Sequence, residues 1–245
     1  MSSQGVKFWS IVWNQFLLKL KANTDMLTGL AIFQVIALIF SFGGNGSFNY
    51  GSGVEFNIYT SDLIVIFTMI WLIVIGVQVL RPAGALMTYS MIANRKVDHL
   101  SNIIWLIVMT GIATVAVLLA NVLLQLITSY FSGGVSLLPE VQLSIGEYVV
   151  GVCTIGLYLL LASACGYFLG VLSQWNELVK VFIPILLIGA LLIVPNMVSE
   201  GVIINVFTFI FLDELFLLFA LKILIVTGLL FFMSMRMGNR LEVRK

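Results

Sequence analysis

Few residues in this chain could carry chemistry. His99 is the only histidine, and it stands beside Asp98 in a basic stretch. A metal site or an intramembrane protease needs companions (a His/Cys cluster, a G-x-S-x-G turn, a second histidine), and the sequence has none. The pair reads as a solvated loop contact. Cys153 and Cys165 share one apolar run, and twelve residues separate them. On a helix rising 1.5 Å per residue they would lie roughly 18 Å apart. That is too far for a disulfide, so both read as small buried hydrophobes. No G-x-x-x-x-G-K-[ST] phosphate loop occurs, so this chain does not bind ATP through one. A headgroup-transfer enzyme would want several acids at one membrane face to hold a divalent ion, and here they are scattered singly. We expect no catalytic, cofactor-binding or metal-binding residue.

Polar residues within apolar runs are the remaining candidates, because each costs free energy unless partnered or wetted. Asn121 and Gln125 are four apart and therefore on one helical face. Gln34 and Gln78 sit singly in earlier runs. Interhelical hydrogen bonding accounts for all four; lining a transient path is the sharper alternative. Lys222 lies well inside the last apolar run. It should face the bundle or a partner subunit, in structural pairing or in substrate contact.

The elements that must position these residues follow from composition. Mean hydropathy is +1.13, with 61% hydrophobic and 9% charged residues, far from soluble domains, where roughly a quarter of residues are charged. A hydrocarbon core about 30 Å thick needs about 20 mostly apolar helical residues. Segments 26–43, 61–80, 102–128, 146–172, 178–196 and 213–235 meet this need, giving six transmembrane helices. No cleavage pattern follows the first run, which should remain as a span. Eleven of the twelve Lys and Arg residues fall in the N-terminal stretch, 81–101, 173–180 and the tail from Arg236. Short basic loops stay in the cytoplasm, so both termini are expected inside. Glu55, Asp62, Glu140, Glu147, Glu200, Asp213 and Glu214 then lie outside. Residues 44–60 are rich in Gly, Asn and Ser and should form a flexible outer loop.

Three stretches depart from a plain bundle. In 6–21, Trp9, Val12, Trp13, Phe16 and Leu20 recur at helical spacing, while Lys7, Ser10, Asn14 and Lys21 share another face. This predicts an amphipathic helix in the membrane interface, either a simple anchor or a helix that also docks a partner. Residues 85–96 include Leu86, Met87, Tyr89 and Ile92, with Asn94 and Arg95 at the polar end. A cytoplasmic helix with such apolar side chains either lies on lipid or fills a protein groove, and we favour the groove. Residues 201–212 are apolar but too few to span, which fits a re-entrant segment. Ala162, Gly166 and Gly170 recur every four residues and predict close helix packing, within the bundle or across a dimer.

An interfacial helix, six spans, a helical inner loop between spans two and three, and a re-entrant stretch before the last span resemble, in that order, the permease subunit of ABC-2 type exporters. The resemblance covers nearly the whole chain, 1–245, as a single all-α transmembrane permease domain. It implies that 85–96 is the coupling helix, which docks a separate ATP-binding cassette subunit through Leu86, Met87, Tyr89, Ile92, Asn94 and Arg95. Trp9, Trp13 and Phe16 would anchor the connecting helix in membrane lipid, and Asp213 and Glu214 would flank the outer gate. ATP and Mg would then belong to the partner ATPase, with no cofactor in this chain and no nucleic acid among its partners. A second permease, identical or different, would complete a dimer in the plasma membrane. The substrate would be hydrophobic or amphipathic (a peptide, lipid or drug), as in bacteriocin export and resistance systems. An ATP-independent immunity or binding protein that sequesters an amphipathic peptide is the alternative.

Overall fold

The computed structural model describes residues 8–42, 46–50, 54–58, 61–80, 95–131, 144–175 and 216–240. They form α1 (Phe8–Ala22), α2 (Asp25–Phe42), β1 (Gly46–Tyr50), β2 (Val54–Ile58), α3 (Asp62–Gln78), α4 (Arg95–Phe131), α5 (Ile145–Trp175) and α6 (Phe216–Arg240). Four of these, α2, α4, α5 and α6, are long and apolar enough to cross a membrane, and α3 is an apolar helix of 17 residues. This is the make-up of a multi-pass membrane protein. The expected span 178–196 and the re-entrant segment 201–212 lie outside the described residues. So do Asp213, Glu214 and most of 85–96, with Leu86, Met87, Tyr89, Ile92 and Asn94.

Two features differ from the sequence reading. The glycine-rich stretch after α2 contains an antiparallel hairpin, with Phe48 opposite Phe56 and Tyr50 opposite Val54. Apolar residues at 48, 50, 54, 56 and 58 alternate with polar ones, the period of a strand. The second difference is α4, which begins at Arg95 rather than near 102 and runs for 37 residues. At 1.5 Å per residue that is about 55 Å, so its polar first turns extend beyond a hydrocarbon layer of about 30 Å. Arg95 therefore opens α4 rather than closing the helix expected over 85–96.

Ring and hydrogen-bond contacts set the helix directions. Gln34 meets Thr68 and Phe40 meets Phe67, so α2 and α3 are antiparallel. His99 meets Tyr167, and Thr114 lies beside Gly156, so α4 and α5 are antiparallel too. Tyr158 packs on Phe219 and Tyr167 on Phe231, with centroids 5.3 and 6.0 Å apart. Helices α5 and α6 consequently run parallel. The start of α4 and the ends of α3, α5 and α6 gather at one end of the bundle, here termed the basic end because Lys19, Lys21, Lys96 and Arg236 lie there.

The core is built where α3, α4 and α5 meet. On α4, Trp105, Leu106, Met109, Ala113, Val117, Ala120 and Leu124 recur at three- and four-residue spacing and are buried. The opposite face (Ile107, Val115, Leu119, Val122, Leu126) is exposed, as expected of side chains turned toward lipid. Gly166 and Gly170 are spent inside the chain, against α3, and Ala162 is buried. A Cβ on Gly166 would come within 2.5 Å of the Ile73 carbonyl oxygen, and one on Gly76 within 2.7 Å of the Tyr167 backbone nitrogen. The two backbones touch directly, which only glycine permits. At the other end of α5 the sequence Ser144-Ile-Gly-Glu147 has capping-box spacing, and the Ser144 N–H donates to Glu147 Oε2 at 2.8 Å.

Of the polar residues expected within spans, Gln34 is the interhelical donor, bonding Thr68 Oγ1 at 2.8 Å. Its own Oε1 is buried with no partner. Gln34→Leu loses one bond but also removes an orphaned carbonyl worth about 1–3 kcal/mol. Unfolding of this variant in detergent should give a stability within about 1 kcal/mol of the parent, since interhelical bonds of this kind average about 0.6 kcal/mol. A loss above that would show that the amide has a partner in the membrane.

Candidate functional site

The densest polar arrangement lies at the basic end, between α1 and the first turns of α4. Two short patterns produce it. Gln15 and Lys19 are four apart on α1; Asp98, Ser101 and Asn102 follow i, i+3, i+4 spacing on α4. The two stripes face each other. Lys19 Nζ donates to Asp98 Oδ1 at 2.6 Å, to Ser101 Oγ at 2.7 Å and to Asn102 Oδ1, with the Asp98 carbonyl at 3.3 Å. Ser101 in turn donates to the Asp98 carbonyl at 2.8 Å, with Gln15 Oε1 at 3.3 Å.

The lysine is 14% exposed and its carboxylate partner 34%. Burial pushes the Lys19 ammonium below its ordinary pKa, while the charge and hydrogen bond of Asp98 hold it up. All three ammonium protons have acceptors, so the group is held charged at modest cost. Unlike a surface pair, it locks one geometry.

From this clasp the network continues into the bundle. His99, one residue along α4, is 7% exposed, and its Nδ1 lies 2.5 Å from the Tyr167 hydroxyl of α5. A Cβ on Gly238 of α6 would overlap the His99 ring, so α6 closes directly over it. The expectation of a solvated Asp98–His99 loop contact is thereby corrected. Both residues belong to α4: the histidine is buried against α5 and α6, and the aspartate turns to α1. Their neighbourhood in sequence places them about 100° apart on the helix, serving different partners.

The clasp explains how α1 sits. Val12 and Phe16 pack inward with Gln15 and Lys19, whereas Trp9 and Trp13 are 66% and 55% exposed. The aromatic stripe expected to act as one face is thus divided. Phe16 serves the bundle, and the two tryptophans point outward, with Ser10, Asn14 and Lys21 on a third arc. The other candidates stand apart from this network. Asn121 is half-buried and Gln125 exposed farther along α4, and Lys222 is half-buried on α6.

Lys19 is the residue that sequence reasoning missed. Its signal was Gln15 and Lys19 standing together on the flank that carries Val12 and Phe16, away from the polar arc. Among the described residues no three metal-ligating side chains converge, and the clasp offers a closed ion pair rather than an open coordination or nucleophile site. Polar contacts join α1, α4 and α5 at one level, and Gly238 of α6 packs on the His99 ring. No family model matches this chain, and the comparisons with curated proteins and with solved structures likewise find no match.

Proposed function

We propose that this chain is the transmembrane subunit of an ATP-driven exporter, moving a hydrophobic or amphipathic substrate by alternating access, with ATP hydrolysed on a separate cassette subunit. The observation that carries the reading is the clasp. Residues 85–96, the proposed docking segment, lead directly into the turn of α4 that holds Asp98 and His99. A push on that segment reaches α1 through Lys19, α5 through Tyr167 and α6 through Gly238. Bistable packed elements of this kind turn a small displacement into a change of state.

One further feature supports it. Helices α5 and α6 run parallel, so α5 ends and α6 begins at opposite ends of the bundle, in keeping with six crossings and with both termini on the basic, cytoplasmic side. The plasma membrane and a second permease copy are part of the same proposal.

The test is co-purification of the intact chain with the P-loop ATPase of its genomic neighbourhood. The ATPase should be retained by the parent and lost when 85–96 is replaced by a Gly/Ser linker. An ATPase that stays bound to the linker variant removes the docking assignment. A chain that sequesters an amphipathic peptide with no ATPase bound would favour an immunity protein.

A further inference from the structure

A cavity of about 350 Å³ opens at the basic end between the α1–α2 turn, the start of α2 and the second half of α3. Its polar lining is Asn23, Asp25 and Gln78, and its rings are Phe33 and Trp71. Trp71 is buried, with its indole Nε1 beside Gly29; a Cβ there would come within 3.2 Å of it. Gly29 keeps the space open. Asp25 makes no ion pair among the described residues, whereas Asp98 is taken by Lys19. The cavity therefore presents an open carboxylate, two amides, an indole N–H and two aromatic rings.

A carboxylate beside aromatic rings selects a cation with apolar surroundings. The indole N–H adds a donor for an adjacent oxygen anion or ester. The location restricts where such a ligand comes from. Asp25 opens the first membrane-crossing helix, and Leu27, Ile32 and Val35 beyond it are exposed on the apolar surface. What reaches this mouth lies in the membrane boundary. We propose that the cavity holds the headgroup of an ammonium-bearing phospholipid, Asp25 taking the ammonium and Trp71 donating to the phosphate or ester oxygen. Such a lipid would brace the α1–α2 elbow against α3. The inference rests on the chain being in a membrane and is independent of the transport reading.

The test is native mass spectrometry of the full-length chain in mild detergent, offered equal amounts of dioleoyl-phosphatidylethanolamine and dioleoyl-phosphatidylglycerol. The parent should retain the ethanolamine lipid about fivefold over the glycerol lipid. Asp25→Asn should abolish that preference. Gly29→Leu, which fills the space and keeps the charge, should do the same. Equal retention of the two lipids by the parent, absence of retained lipid, or a preference that survives in either variant would overturn the assignment.

Discussion

Asp98→Asn is expected to destabilise the folded chain by about 2–3 kcal/mol, near the low end of the figure for stranding one member of a buried pair. The discount reflects the part of Asp98 still open to solvent. The loss arises because Lys19 stays where it is, largely buried, with its opposite charge gone. Lys19→Met should cost less, since a methionine fills the slot against Val12 and Phe16 while Asp98 turns to water.

The pH dependence separates the two further. Burial already lowers the Lys19 pKa in the folded state. Between that value and the unfolded one the unfolded chain binds more protons, so stability rises with pH. Removing Asp98 takes away what held the folded pKa up and widens the window downward. Asp98→Asn should therefore recover stability as pH rises toward 10, and Lys19→Met should not. Chemical unfolding in detergent across pH 7 to 10 measures this, and parallel profiles for the two variants would show that the pair is not buried as described.

Gly166→Leu should have a larger effect, at or beyond the upper end of the about 1–3 kcal/mol typical of overpacking. The obstacle is not a yielding side chain. Any Cβ at 166 meets the Ile73 backbone at 2.5 and 2.6 Å, so α3 and α5 would have to separate. Since α3 and α5 are the central pair, their separation also loosens Tyr167 and, through it, His99. Gly151 lies on the same helix with nothing near its Cβ position, and Gly151→Ala should be neutral or stabilising by up to about 1 kcal/mol. Thermal unfolding of both variants side by side distinguishes a contact effect from a general intolerance of the helix.

Much of the architecture was legible because hydrocarbon imposes a length and a composition on whatever crosses it. The expected spans 26–43, 61–80 and 146–172 fall within three residues of α2, α3 and α5 at every boundary. The tight packing of Gly166 was legible too, but not its mate. Gly76 is a lone glycine in its helix, and helical arithmetic assigns a residue to a face without saying which helix that face meets.

The clasp was hidden for a related reason. Counting Lys and Arg by loop places Lys19 on a side of the membrane and is silent on the direction of its side chain. The charge rule sees one more cation in a basic stretch, whereas its ammonium bonds Asp98, Ser101 and Asn102 of α4. Asp98 and His99 are hidden in the sequence because hydropathy rises only at Asn102. Helical hydrogen bonding does not stop at the edge of the apolar layer, and it carries α4 seven residues farther.

Coupling requires the basic end to face the cytosol, where an ATPase could reach 85–96 and the clasp. With Cys153 and Cys165 replaced by Ala, single cysteines at Lys96 and Ser144 mark the two ends of the bundle. In right-side-out vesicles a membrane-impermeant maleimide should label Ser144→Cys, and Lys96→Cys only after permeabilisation. Labelling of Lys96→Cys in sealed vesicles, with Ser144→Cys protected, would contradict the orientation and the coupling built on it.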